Sequence, residues 1–344
     1  MKNILFIILF LPFIYCGKTA NFSEITLPFI QNPALITGDL AFEYSKIITP
    51  KDLKTHLYVM ASDEFEGRNT GEPGQKLAAE YLKDFYKSHN IASPLGGDDY
   101  FQEIPTEELR PNLKPSENVL AFIEGSEKPE EIIVISAHFD HLGKTEEDIF
   151  NGADDDGSGT VAIMKIAEAF QNAVLEGNGP KRSILFLHVT GEERGLLGSK
   201  YYVNHPVFPL KNTVADLNID MIGRVDEAHT DTPEFVYLIG SDKLSSELHE
   251  ISEAINNQFT KLVLDYTYND DNDPNRFYYR SDHYNFAKNN IPIIFYFNGT
   301  HEDYHKASDT PDKINYEVLA KRTQLVFFTA WELANRDKRI VVDK

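Results

Sequence analysis

Glu131-Ile-Ile-Val-Ile-Ser-Ala-His-Phe-Asp140, closely followed by Asn151-Gly-Ala-Asp-Asp-Asp-Gly-Ser-Gly-Thr-Val-Ala-Ile-Met164, decides how this chain is read. The first stretch is a nearly unbroken apolar run. It has too little alternation for a sheet face exposed to water, so it reads as a strand buried on both sides. The second places three adjacent aspartates ahead of Gly157-Ser-Gly159 and an apolar helical segment. Adjacent carboxylates repel one another, and folding them against a core is costly unless a cation neutralises them. The positive end of the following helix also favours carboxylates at its start. A solvated acidic loop with a good helix start explains the second stretch alone equally well, so the rest of the chain has to decide.

Working outward, Ser183–Val189, Thr213–Ile219 and Pro292–Phe297 repeat the buried-strand pattern of Glu131–Ala137. Helix-like segments lie between and after them at Thr160–Phe170, Leu244–Asn256 and Tyr316–Asn335. Strand–helix alternation of this kind predicts an α/β sheet covered by helices on both faces. Upstream, Thr49-Pro50 reads as an N-cap with proline at the first helical position, opening a helix to Met60. A second helix is expected over Gly74–His89, with Leu77, Tyr81 and Phe85 as its buried stripe. Strands are expected near Tyr100–Ile104 and Glu117–Glu124. The acidic run Asn269–Pro274 lacks the glycine and terminal glutamate of an EF-hand and reads as a solvated loop.

The whole chain has 344 residues, 42% of them hydrophobic, and a formal net charge of -21. That length can bury a sizeable core. Such acidity argues against a nucleic-acid partner, which needs a basic footprint. Lys2 followed by the apolar run Ile4–Tyr15 has the form of an export signal, too short to span a bilayer comfortably. Cys16, the single cysteine, follows it directly. Residues 1–16 therefore read as a signal peptide of lipoprotein type, with ordinary cleavage a few residues later as the alternative. The expected location is periplasmic, extracellular or lipid-anchored at the cell envelope, with membrane contact only through a lipid on Cys16. One cysteine permits no intramolecular disulfide and no cysteine-ligated zinc site. Residues 17–45 are expected to be an irregular lead-in, and 46–344 a single domain.

Each strong strand runs into metal-type ligands: His138-Phe-Asp140, then Thr190-Gly-Glu-Glu193, then Asp220, then His301-Glu-Asp-Tyr-His305. In an open α/β sheet ligands bind beyond the carboxyl ends of the strands, so these clusters should meet at one edge. With His138, Asp155, Glu193, Asp220 and His305 as ligands, Asp155, Glu193, Asp220 and one bridging hydroxide would balance two divalent cations. Nitrogen and oxygen donors without sulfur suit zinc, and manganese or cobalt can occupy the same set. Taken singly the motifs are weaker: His138 could be a core histidine satisfied by a carbonyl, and Glu192-Glu193 an acidic helix start. Alternate residues of an extended segment face the same side, so Asp140 can hold the His138 imidazole from behind. Gly191 lets the chain bend, so that one glutamate reaches a metal while the other faces bound water as a general base.

His138-Phe-Asp140, Gly152-Ala-Asp-Asp-Asp-Gly-Ser-Gly159, Gly191-Glu-Glu193, Asp220-Met-Ile-Gly-Arg224, Ser281-Asp-His283 and His305-Lys-Ala-Ser-Asp-Thr310 together resemble the ordered motifs of the dizinc aminopeptidases. That family includes bacterial leucyl-type aminopeptidases, with glutamate carboxypeptidases and glutaminyl cyclases as relatives. Ser62-Asp-Glu-Phe-Glu-Gly-Arg68 resembles a motif of its exported bacterial members, read here as structural, with Glu66 and Arg68 available for ion pairs. The resemblance implies a three-layer zinc-exopeptidase fold with a mixed, mostly parallel sheet, and two divalent ions, zinc above all. Asp155 would bridge the metals, His138 and Asp220 would complete one, and Glu193 and His305 the other. Glu192 would be the general base and Asp140 the orienting residue. Tyr304 would stabilise the tetrahedral oxyanion, and His283 would not be a ligand. The segment between Gln102 and His138 is too short for an inserted protease-associated domain. Peptides would be the substrates, cut at the N-terminus. A glutaminyl-cyclase-like transferase, or an inactive relative that only binds peptides, are the competing readings.

Overall fold

The structure is a computed structural model in which residues 35–344 are described. The expected leader, Cys16 and most of the lead-in lie outside the described residues. The end of that lead-in is not irregular: Asp39–Ser45 forms a helix, α1. Ala41 and Tyr44 pull it onto the core, where Tyr44 stacks on Trp331 at 5.6 Å between ring centroids.

Helix α2, Pro50–Met60, begins as expected, with the Thr49 hydroxyl accepting from the Asp52 N–H. That bond satisfies one of the donors a helix start leaves free. Helix α3 spans Pro73–Ser88, but its buried face is Gln75, Ala78, Ala79, Leu82, Phe85 and Tyr86. Leu77 is exposed and Tyr81 only half-buried, which corrects the expected stripe. Two small alanines let α3 approach the core closely, and the larger residues beside them are left at its rim.

The strands are β1 Phe101–Ile104, β2 Ser116–Ile123, β3 Lys128–His138, β4 Gly143–Lys144, β5 Ile149–Phe150, β6 Arg182–Val189, β7 Thr213–Ile219, β8 Phe235–Ile239, β9 Val263–Asp265 and β10 Ile293–Phe297. Eight of them form one sheet in the order β1-β2-β6-β3-β7-β10-β8-β9, and β4-β5 form a separate ribbon. β6, β3, β7 and β10 run parallel to one another, and β8 and β9 run parallel at one edge. β1, β2 and the β10–β8 pair are antiparallel. The sheet is thus mixed and mostly parallel, and its four central strands all end at the same edge.

Alternation along β3 divides the core. Ile133, Ile135 and Ala137 pack with the helices of one face, while Ile132 and Val134 pack with Tyr202 and Phe286 on the other. The larger layer holds α2, α4 (Gly159–Leu175), α6 (Ser246–Ile255) and α8 (Tyr316–Asn335). α4 is buried almost all round, between the sheet, α2 and α8, and Phe170 stacks on Trp331 at 5.5 Å. The smaller layer is α5, Leu197–Asn204, with α7, His283–Ala287. No described helix is long and apolar enough to cross a membrane.

Candidate metal centre

The shared edge of β3, β6, β7 and β10 gathers the predicted ligands. His138 closes β3, and Asp220 follows β7 directly. Glu192 and Glu193 follow β6, where Gly191 adopts φ 68, a left-handed turn that glycine takes without strain. Asp155 lies in the loop before α4, whose Asp155–Asp156 peptide is cis. The loop after β10 carries His305.

Among the three adjacent aspartates only Asp155 faces the cluster. Asp154 accepts from the Gly223 N–H at 2.6 Å and lies 3.1 Å from His301 Nε2. Asp156 accepts from the N–H groups of Gly159 and Met221. Asp155 divides its oxygens: Oδ1 is 3.2 Å from His138 Nε2, and Oδ2 is 3.1 Å from His305 Nε2. His138 Nε2 is also 3.5 Å from Asp220 Oδ1, and His305 Nε2 is 3.5 Å from Glu193 Oε2. His138 Nε2 and Glu193 Oε1 are buried and make no hydrogen bond. Donors that converge without bonding one another are arranged as ligands of a cation between them. Two donor groups, His138–Asp155–Asp220 and His141–Asp155–Glu193, meet that description. His141 was missed in the sequence reading, although it stands directly after His138-Phe-Asp140.

Electrostatics support the fit. Burial, with Asp220, Asp282 and Glu193 nearby, pushes the Glu192 carboxyl well above its ordinary range. Burial and Asp155 raise Glu193 to about 8. Burial opposes charge on Asp155, but His141, His138 and His305 outweigh it and hold that carboxyl well below the ordinary value. Burial also opposes charge on His138, yet Asp220 and Asp155 carry it well above the imidazole value. Carboxylates outnumber cations in a largely buried cleft, so the cluster is short of positive charge. Two divalent ions would supply it, and the residues that would hold them are His138, Asp155 and Asp220 for one and Asp155, Glu193 and His305 for the other.

Asp140 works differently from expectation. His138 Nδ1 lies 3.1 Å from the Asp140 backbone carbonyl and 3.8 Å from its carboxylate, so the main chain orients the imidazole. The carboxylate instead accepts from Thr70 Oγ1 at 2.7 Å and from the Glu192 N–H at 3.1 Å. Arg68 also departs from the ion-pair expectation. It is fully buried and donates to the carbonyls of Met60, Phe139, Asn151 and Gly152 at 2.7 to 2.9 Å. One guanidinium therefore ties the chain after β3 to the aspartate loop. Glu66 does pair, with Lys144 at 2.6 Å.

Beside the ligands lies a pocket of about 340 Å³ including its open side. Met221, Phe277, Phe295 and Phe297 form apolar walls, and Arg280, Tyr304 and His305 line it with Glu192. The Tyr304 ring stacks on His305 at 3.8 Å, and its hydroxyl is 3.4 Å from Arg280 Nη2. Burial, with Asp155 next, raises the Tyr304 hydroxyl above its ordinary value and keeps it protonated. His283 is turned away, bonded to the Tyr278 carbonyl at 2.8 Å and stacked on Phe295.

The family model described as Peptidase family M28 matches residues 118–330. A probable aminopeptidase of Saccharomyces cerevisiae is 28% identical over 226 residues, covering 63% of this chain and 57% of that protein. The chain thus spans little more than half the length of that relative. The structure of a zinc aminopeptidase from Bacillus subtilis superimposes with TM-score 0.64 at 16% identity, covering 85% of this chain and 98% of that one. A glutaminyl cyclase from Porphyromonas gingivalis superimposes with TM-score 0.63 at 17% identity, covering 82% and 97%. Two neighbours of different chemistry at such identities speak to the fold alone.

Proposed function

The chain belongs to peptidase family M28, and we propose that within it the protein is an exported dizinc aminopeptidase that removes N-terminal residues from peptides. The observation that carries this reading is the division of Asp155, one oxygen toward His138 and Asp220 and the other toward Glu193 and His305. A carboxylate shared in that way would suit a pair of divalent cations.

When bound, two zinc ions polarise the scissile carbonyl and lower the pKa of water. The protein's own groups do the rest. Glu192 is the general base: it takes no part in either donor group, it lines the pocket, and its raised pKa suits a group that takes a proton and returns it. It removes a proton from the attacking water and delivers it to the leaving amine. The hydroxyl of Tyr304, protonated and stacked on His305, is the donor toward the oxyanion. The apolar walls take the N-terminal side chain, and the carboxylate cluster favours the free ammonium. Export rests on the apolar leader, and a lipid on Cys16 is its proposed anchor.

Zinc content by plasma mass spectrometry, measured with hydrolysis of a panel of aminoacyl anilides, tests the proposal. Two zinc ions per chain and chelator-sensitive release support it. One zinc with cyclisation of N-terminal glutamine would transfer the assignment to a transferase, and no turnover would leave a binding protein.

A further inference from the structure

We infer that His141 is a third imidazole donor to the metal pair, serving the same cation as Asp155, Glu193 and His305. The inference rests on the metallopeptidase reading above and adds a ligand to it.

His141 is fully buried, and the backbone holds it in place. Its N–H donates to the Arg68 carbonyl at 3.1 Å, and it forms an isolated bridge with Asn69. The ring packs on Gly152, where an added Cβ would lie 2.5 Å from His141 Cγ. A side chain at 152 would therefore displace the imidazole, and Gly152 leaves the space for it.

The chemistry lies at Nδ1, which is 2.9 Å from Glu193 Oε1 and 3.9 Å from Asp155 Oδ2. Neither ring nitrogen of His141 makes a hydrogen bond, and neither does Glu193 Oε1. Two buried lone pairs so close repel unless a proton or a cation is shared between them. The imidazole does not aim an Nδ1–H at Glu193 Oε1, and its lone pair leaves along that same direction, so the two atoms point past one another as donors converging on one cation do.

The same signature marks His138 on the other side of Asp155. Its Nε2 is unbonded, 3.2 Å from Asp155 Oδ1 and 3.5 Å from Asp220 Oδ1. His138 and His141 thus lie toward different oxygens of the shared aspartate, each beside one outer carboxylate, with His141 the farther from Asp155 at 3.9 Å against 3.2 Å. His305 approaches the second position from a more exposed loop, with its ring centroid 6.0 Å from that of His141. Glu193 turns Oε1 toward His141 and Oε2 toward His305, so both imidazoles can share its cation. Bond lengths of about 2.0–2.2 Å would put neighbouring donors about 3 to 3.5 Å apart; the 2.9 Å from His141 to Glu193 lies close to that range and the 3.9 Å to Asp155 is wider.

The competing account makes His141 a positioning residue that only steers Glu193. X-ray absorption at the zinc edge on the zinc-loaded full-length protein separates the two, because it counts imidazoles. Three imidazoles for each zinc pair are expected; two would overturn the assignment. The His141→Phe and His141→Gln variants, titrated with zinc against a chromophoric chelator, give the second readout. The weaker zinc should lose more than about 100-fold in affinity while the other is unchanged, since loss of an outer-sphere partner typically costs about 10–100-fold. A loss within that smaller range, or none, would also overturn it. If the variants do not fold, the imidazole count on the unaltered protein decides alone. A protein that binds no zinc would remove the metallopeptidase reading itself, whereas two zincs with two imidazoles would remove only His141.

Discussion

Asp140 Oδ1 accepts a hydrogen bond from the backbone N–H of Glu192 at 3.1 Å, while its Oδ2 accepts from the Thr70 hydroxyl at 2.7 Å. One buried carboxylate thus connects the chain after β3 to the turn that carries the proposed general base. Thr70 is fully packed, 1% exposed, and lies outside both donor groups. Thr70→Val keeps the shape and removes the donor. It should lower kcat by about 10-fold, toward the low end of losses seen for outer-sphere partners, with both metals retained. Steady-state kinetics with metal analysis on one preparation checks this; an unchanged kcat would dissociate the latch from the base.

Glu192→Gln removes the carboxylate that faces the pocket without touching either donor group. Metal content should stay at the level of the unaltered protein. Turnover should fall by about 10²–10⁴-fold, the usual contribution of a positioned general base. A variant with near-normal kcat would remove Glu192 from that role.

Asp155→Asn tests the proposed sharing of Asp155 between two cations. A neutral amide offers one oxygen and less charge, so both cations are affected together, unlike a change at Asp220 or Glu193. Metal occupancy and activity should fall in parallel, as in the protein after extended chelation. Full occupancy by metal analysis would contradict the division of its oxygens.

Arg68 is legible in sequence only as a charge, yet the structure uses it as a polar staple inside the fold. Arg68→Met would remove the side-chain donor from the carbonyls of Met60, Phe139 and Asn151, each costing on the order of 1–3 kcal/mol when buried, while Gly152 keeps the Gly157 N–H. The expected outcome is a destabilisation of about 3 kcal/mol or more by denaturant unfolding, with reduced metal affinity. Arg68→Lys should rescue little, because an ammonium cannot fork among carbonyls from different segments.

The strong strands and their acidic ends were readable because they obey local rules. β3, β6, β7 and β10 are apolar runs, and parallel strands must deliver their following residues to one edge. The middle aspartate could be selected only by resemblance. What removes Asp154 and Asp156 from the site is backbone N–H groups of residues 159, 221 and 223, a long-range fact absent from local pattern. His141 carried a signal, a second histidine directly after His138-Phe-Asp140, but its register with Glu193 depends on Arg68 and Gly152. The short elements β9 and α7 were invisible because three and five residues hold too little periodicity to register. Of the expected α3 stripe Phe85 is buried, but Leu77 and Tyr81 are not, because the small Ala78 and Ala79 face the core beside it.

His188 gives a pH dependence that lies outside the metal centre. It sits fully buried on β6, with Nε2 2.6 Å from the Tyr86 hydroxyl and Nδ1 without a partner. Burial lowers its pKa to about 3, against an ordinary 6.5. Between those values the unfolded chain binds a proton that the folded one does not, so stability rises with pH across that window. The contribution is fully present above about pH 6.5 and is lost as pH falls toward 3, at about 1.4 kcal/mol per unit. His283, lowered to about 3 by burial, acts in the same direction. Asp282, raised to about 7 by burial, acts in the opposite one, so the total slope does not isolate any single group. The difference between the unaltered protein and His188→Gln does. Glutamine keeps an acceptor for Tyr86 and cannot take up the proton. The stability gap between the two proteins should therefore shift by about 2 kcal/mol in favour of the variant between about pH 7 and about pH 5. Urea unfolding of both proteins across that range measures it. A gap that stays constant with pH would mean that His188 takes up its proton as readily in the fold as in the unfolded chain, which would overturn the lowering by burial beside Tyr86.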